Sequence, residues 1–526
     1  MLEMVEPRID AIKSEIERIL SLVELEHMGQ SIKVDGFRLR NLDDWQTSCA
    51  QSHLEALGPL SGVCNAKCVF CMERSIPFER DYSFLSLREA FTRLQHFDQK
   101  NNRCLFPATR PHMETLLNKD AVRILKSVRE KSSSELFIIT TNGSTLNSET
   151  IRELANLKPL LLKLSINSTT LEKRKSLMGL REELNIAINS MGLLNDFNIP
   201  FIGSIVVWPN VDFTELKRSI TDICFYKPYG IRIRLPLIHK FMPKPPVENL
   251  NDFWQNTCNY VNSIKGRFNV PVWIEPVQYG RAPVLPIVDG VILNSPAQMA
   301  GLMAGDIVME INGNVLPTRV HIRDFFNSGV FDQLDNLVVK VKRGDKLLDL
   351  KLISHKNVNQ CTTGIQSYPF DPDLGYPGER LGMLFLPDFD LNYLDNVLHL
   401  IKKHNARKVL LFCSSLTAGT VEHFINQIPV YHDFFQERFL WIYTLEQTWM
   451  EGNTHLLDSR LVADYENALL KFCDGVKDRP DLLLIPDSFG SSWGIDFLGR
   501  SVFEIENRTG IPVELIPWHY IYGRED

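Results

Sequence analysis

Gly62-Val63-Cys64-Asn65-Ala66-Lys67-Cys68-Val69-Phe70-Cys71-Met72-Glu73 places three cysteines at C-x3-C-x2-C spacing, in a chain of 526 residues with ten cysteines in all. Three thiolates on one short loop can hold three corners of a cubane iron–sulfur cluster. The loop supplies no fourth ligand, so one iron would stay open to a small molecule. Two other chemistries use similar letters. Zinc sites are built from C-x2-C pairs but need a fourth ligand, and no matching C-x2-C or H-x3-H partner follows at the usual distance. Cys68 and Cys71 alone have the spacing of a redox pair, which leaves Cys64 unexplained. Upstream, Cys49 and His53 read as a partly buried thiol and a surface imidazole rather than as further ligands.

Outward from the loop, strand-like and helix-like segments alternate as far as about residue 276, the pattern of βα units on a parallel sheet. Strands are expected at 103–107, 136–141, 160–167, 201–207, 231–235 and 270–274, and helices at 121–131, from 148, and at 187–195, 213–222 and 251–265. About six parallel strands make an open, partial (β/α)6 barrel with its site at the C-terminal strand ends. Ahead of it, apolar residues at 9, 12, 16, 19, 20 and 23 predict an amphipathic helix over 8–30, within an N-terminal extension of 1–50. Arg110, Arg181, Arg232 and Arg234 are candidates to meet anionic groups in the barrel; Arg232 and Arg234 stand two apart on one strand and share a face. The other reading for them is a structural ion pair. The remaining cysteines do not cluster in sequence, so no second iron–sulfur site is expected.

Composition bounds the class. The length suggests about three or four domains. Lys and Arg number 57 against 64 Asp and Glu, a net charge of −7, which argues against nonspecific nucleic-acid binding over the whole surface. No apolar run reaches the ~20 residues that span a bilayer. Met1-Leu2-Glu3-Met4-Val5-Glu6-Pro7 has neither a basic nor an apolar leader region. A reducing, cytoplasmic setting with free thiols is therefore expected.

With Phe70 directly before its last cysteine, the loop resembles the cluster-binding motif of the radical S-adenosylmethionine (SAM) superfamily. His112-Met113-Glu114-Thr115-Leu116-Leu117-Asn118-Lys119-Asp120 falls where that superfamily has a Gly-Gly-Glu-Pro segment, without its glycines and proline. Thr140-Thr141-Asn142-Gly143 resembles the turn after the third strand, and Ser165, Asn167 and Ser204 sit at the ends of the fourth and fifth. The resemblance implies a [4Fe–4S] cluster on Cys64, Cys68 and Cys71. It implies SAM held by Glu114, Asn142, Ser165, Asn167 and Ser204, with Phe70 beside the cluster. It further implies reductive cleavage of SAM to a carbon radical, fed by a low-potential donor of the flavodoxin or ferredoxin type, acting on an unidentified small molecule or peptide. The departure at His112 and Met113 leaves open which C–S bond of SAM breaks. From the residues alone, Glu114 has the alternative of a solvated carboxylate at a helix entry, and Asn142, Ser165, Asn167 and Ser204 that of turn or cap residues.

Beyond residue 280 the helices give way to short β segments. Asn294-Ser295-Pro296-Ala297, Ala300-Gly301-Leu302, Gly305-Asp306-Ile307-Val308 and Ile311-Asn312-Gly313 resemble the core of a bacterial PDZ domain, giving a small β-rich PDZ-like domain at 281–356. Such domains capture peptides by strand addition. The first strand and carboxylate loop are not evident before Val288, so a structural or lid role stands beside capture of a protein partner. Residues 357–526 are expected to form an α/β domain whose end, Leu484-Ile485-Pro486 through Asp496-Phe497-Leu498-Gly499 to Thr509-Gly510-Ile511-Pro512-Val513, resembles the terminal domain of PDZ-containing bacterial radical SAM proteins of unknown function. A competing class is an iron–sulfur assembly or electron-transfer protein that recruits a partner through the PDZ-like module.

Overall fold

A computed structural model describes residues 22–27, 30–35, 60–71, 84–94, 104–105, 114–131, 136–181, 186–209, 212–236, 238, 242, 250–275, 285–319, 321–322, 325, 336–353, 381–385, 391–413, 418–445, 461–476, 478–487 and 500–517. Cys49, His53, Arg110, His112 and Met113 lie outside them.

The first two strands, β1 (Leu22–His27) and β2 (Gln30–Asp35), pair antiparallel as a hairpin. This corrects the helix expected over 8–30 where that stretch is described. Val23-Glu24-Leu25-Glu26 and Ser31-Ile32-Lys33-Val34-Asp35 both alternate apolar and polar letters, and the period of two prevails over the helical spacing read upstream.

Six strands follow: β3 (Cys104–Leu105), β4 (Leu136–Thr141), β5 (Leu160–Ser165), β6 (Phe201–Val206), β7 (Gly230–Arg234) and β8 (Val272–Glu275). They form one sheet in sequence order, every neighbouring pair parallel. Between them run α1 (Leu87–Leu94, before β3), α2 (Ala121–Lys131), α3 (Ser148–Ala155), α4 (Leu171–Met178), α5 (Ala187–Asp196), α6 (Phe213–Phe225) and α7 (Leu250–Ile264). Alternate strand residues such as Phe137, Leu162, Leu164, Ile205 and Ile233 join one buried core with Ile124, Ile151, Met191, Ile220 and Val261 of the helices. Residues one position away face inward. Near the strand starts these are Ile138, Leu161, Ile202 and Trp273, which belong to a second buried core.

That second core is shared with the β-rich module. β9 (Gly290–Val291) is followed by one helical turn, Pro296–Met299, capped by the Ser295 hydroxyl. Then β10 (Ile307–Ile311), β11 (Asn314–Val315), β12 (Asn336–Arg343) and β13 (Lys346–Ile353) form an antiparallel sheet in the order β11-β10-β12-β13. Arg343 binds both Asp306 oxygens, at 2.6 and 2.7 Å, tying the turn before β10 to the hairpin. Val288, Ile292, Leu302, Leu381 and Met383 pack in the same core as Ile138, Leu161 and Trp273, and Lys265 bridges to Asp289 at 2.5 Å. The module therefore closes the N-terminal mouth of the barrel. Its packing is thus on the end of the barrel away from the cysteine loop. The strand expected at 381–386 is the short β14 (Met383–Leu384), which pairs with β9 instead of joining the last sheet.

The last sheet runs β16-β15-β17-β18, all parallel, from β15 (Lys408–Cys413), β16 (Phe439–Thr444), β17 (Leu482–Asp487) and β18 (Val513–Pro517). Helices Leu391–His404 and Ala418–Gln427 cover one face, and Val462–Val476 and Phe503–Thr509 the other, the layering of a doubly wound α/β unit. Among the described residues no helix is long and apolar enough to cross a membrane.

Candidate active site at the cysteine loop

The cysteine loop lies at the C-terminal mouth of the barrel and is held from two sides. Glu114 N–H donates to the Val63 carbonyl at 2.9 Å. Lys67 and Val69 donate their N–H groups to the Met178 and Leu177 carbonyls, at 2.7 and 2.9 Å, where α4 ends. Phe70 packs with Leu177, Met178, Leu180 and Trp208, so the aromatic ring anchors the loop to that helix end. Gly179 follows α4 with φ +59°, and a Cβ there would stand 2.8 Å from Lys67 Cβ and 3.1 Å from its carbonyl oxygen. Gly179→Ala combines a left-handed backbone cost of about 1–2 kcal/mol with displacement of the loop. It is expected to lower the melting temperature and the iron content together, measured by thermal denaturation and iron analysis; unchanged iron content would show that the loop does not depend on this contact.

Glu114 is 1% exposed, which removes the alternative of a solvated carboxylate. One oxygen accepts from the Thr141 hydroxyl and the other from Asn142 N–H, both at 2.6 Å, at the end of β4. Burial pushes its pKa up to about 7, opposed by these hydrogen bonds. Asn142 in turn donates its side-chain amide to Asn65 Oδ1 at 2.9 Å and toward Cys64 Sγ at 3.8 Å, and accepts from Ser144 N–H. Asn65 and Ser144 complete the ring at 2.9 Å. Behind this turn, Gly143 has φ +77°, and a Cβ there would meet Ala187 Cβ at 2.5 Å, so α5 seats directly against it.

Asn167 spends both ends of its amide on the chain, accepting from Val206 N–H at 2.9 Å and donating to Met178 Sδ at 3.2 Å. Its φ of +60° is the left-handed conformation that asparagine tolerates. Ser165 and Ser204 are register neighbours on β5 and β6 and lie on the inward face, one at each strand's C-terminal half. Sequence reading missed Arg174. It is fully buried on α4 and donates to the Ser165, Ile166 and Asn142 carbonyls, gathering the ends of β4 and β5. Burial lowers its pKa to about 10, which leaves it cationic at neutral pH.

Burial is also the main reason that the Cys64 and Cys68 thiols are pushed up, to about 11 and about 12; the other loop cysteines add to it, and the Arg174 charge opposes it at Cys68. Thiols of this kind stay protonated until a cation displaces the protons, as metal ligands do. Yet among the described residues no three His, Cys, Asp or Glu side chains converge on a single metal ion. The three loop thiols are half-buried, and those of Cys64 and Cys71 act electrostatically on that of Cys68. Cys224, Cys258 and Cys413 are buried, Cys473 is half-buried, and none of them stands in the loop.

Residues 59–223, which include the loop, Glu114 and the strands β3 to β6, match the family model described as the radical SAM superfamily. This segment is a radical SAM domain. It is an enzyme domain, and its superfamily uses a [4Fe–4S] cluster together with SAM. Solved structures similar to the chain include SuiB of Streptococcus suis bound to SAM, at 17% identity and a TM-score of 0.35 over 43% of this chain and 52% of that one. Methylornithine synthase aligns at 14% identity and a TM-score of 0.29, over 45% of this chain and 72% of that one. The chain thus spans about half the length of the SuiB chain. No curated protein matches the sequence.

Proposed function

We propose that this chain binds a [4Fe–4S] cluster through Cys64, Cys68 and Cys71 and cleaves SAM reductively to generate a carbon radical for use on a further substrate. The observation that carries the reading is the tie between the cysteine loop and the C-terminal mouth, made by Glu114 on one side and the end of α4 on the other. Bound there, the cluster supplies the electron and the open iron that break a C–S bond of SAM.

The chain's own work is placement. Ser165 and Ser204 stand side by side on the inward face, which supports reading them as the hydroxyls that hold the ribose. Asn142 fixes the Cys64 end of the loop, and Glu114, from within the wall, fixes Asn142. Asn167 locks β5 to β6 and to Met178, keeping the ribose-facing edge in register with the loop. Phe70 seats the Cys68–Cys71 half. The electron comes from a flavodoxin- or ferredoxin-type donor in the cytoplasm, and the substrate is a small molecule or peptide.

Anaerobic reconstitution, reduction and addition of SAM test this. The expected product is 5′-deoxyadenosine. Methylthioadenosine would instead identify cleavage toward the 3-amino-3-carboxypropyl group, in keeping with the replaced glycines before Glu114. No SAM consumption and no spectral change on SAM addition would overturn the reading in favour of electron transfer or cluster assembly.

A further inference from the structure

Arg174, a fully buried cation, lies beside the ligand loop, and three features of its placement agree. It sits on α4, the helix whose Leu177 and Met178 carbonyls hold the loop. Its guanidinium is clamped to the carbonyls of Asn142 and Ser165, at 2.7 and 2.6 Å, and to that of Ile166. The Asn142 whose carbonyl it holds reaches toward Cys64 Sγ with its own side-chain amide, at 3.8 Å. A guanidinium fixed in this way cannot swing to a surface carboxylate, and burial keeps water from screening it.

We propose that Arg174 is a positioning residue whose buried charge stabilises the anionic thiolate-bound cluster and raises its reduction potential. The proposal rests on the radical SAM reading above. A [4Fe–4S] core at the 2+ level with three thiolates carries one net negative charge, and taking up one electron adds a second. A nearby fixed cation favours the more negative state, so it favours reduction. Arg174 thereby eases transfer from a donor that must already be of low potential.

The test is a redox titration of the SAM-free reconstituted protein, followed by electron paramagnetic resonance, for the wild type, Arg174→Lys and Arg174→Gln. The midpoint is expected to move to more negative values in Arg174→Gln, with a smaller reduced fraction at any fixed donor potential. Arg174→Lys keeps the charge and is expected to stay close to the wild type. Arg123→Gln, which removes a cation that is 70% exposed on α2, leaves the midpoint unchanged. An unshifted midpoint in Arg174→Gln overturns the proposal. If Arg174→Gln loses the cluster, Arg174→Lys decides: a retained cluster at the wild-type potential supports the charge. Loss in both variants assigns the residue to carbonyl anchoring alone and overturns it. Absence of a four-iron cluster from the wild type is a different failure, that of the underlying reading.

Discussion

Cys64→Ala, Cys68→Ala and Cys71→Ala are each expected to reduce iron from about four ions per chain to near zero after anaerobic reconstitution. The loop supplies three thiols, and each would hold one iron of the cluster. Removing one thiolate also removes what makes the others ionise. Cys64 and Cys68 sit in surroundings that push their thiols to about 11 and about 12, so without bound iron the survivors stay protonated. Loss is therefore expected to be cooperative, with no stable partial cluster. Cys224→Ala and Cys258→Ala are the matched controls. Both thiols are buried in the barrel core, so these changes trim packing and leave the iron count intact. Iron and sulfide analysis with absorption spectra reads the result, and a full cluster in any one of the three loop variants would show that the ligands have been misassigned. Because a ligand that binds only the folded chain stabilises it, the same three variants are also expected to melt below the reconstituted wild type and level with the iron-free protein.

The barrel was legible because strands buried on both faces read as nearly continuous apolar runs, as Leu160-Leu161-Leu162 does. The helix α4 was not. Its apolar letters stand at 171, 177 and 178, with no stripe at helical spacing, because a buried position is held by Arg174. A charged side chain that satisfies backbone carbonyls inside the core looks, in the sequence, like a solvated face. That is why Arg174 was missed while Arg232 and Arg234 drew notice. The cysteines announced themselves by spacing alone. The frame around them did not, since Asn65, Asn142 and Ser144 meet across about 80 positions of sequence and only the fold brings them together. The same holds for β9 and β14, two-residue strands whose pairing completes the module from opposite ends of a long connection. The N-terminal hairpin shows the converse error, where helical spacing of a few isoleucines outweighed the alternation that starts at Val23.

Glu114→Ala is expected to unsettle both stability and the site. The Asn142 N–H and the Thr141 hydroxyl would lose their acceptor inside the protein, and a buried donor left unsatisfied costs about 1–3 kcal/mol. Thr141 has a second role as acceptor for Gly143 N–H, so its hydroxyl has little freedom to re-pair. The Asn142 turn that reaches Cys64 would then drift, and cluster retention should fall with it. Glu114→Gln separates charge from shape. Its amide oxygen still accepts from Asn142 N–H, so the turn survives and iron is retained better than in the alanine variant. The pH dependence gives a sharper test. Burial raises the Glu114 pKa from 4.5 to about 7, so the folded chain holds this proton more tightly than the unfolded one. The stabilisation from protonation is fully present below pH 4.5 and is lost as pH rises through about 7. In iron-free protein, denaturant unfolding should show the wild type losing stability relative to Glu114→Gln across that window, at roughly 1.4 kcal/mol per pH unit as an upper bound. A difference between the two proteins that stays flat with pH would mean that the carboxylate is already ionised within the wall, and would make its negative charge, set near Cys64, part of what the bound cluster must oppose.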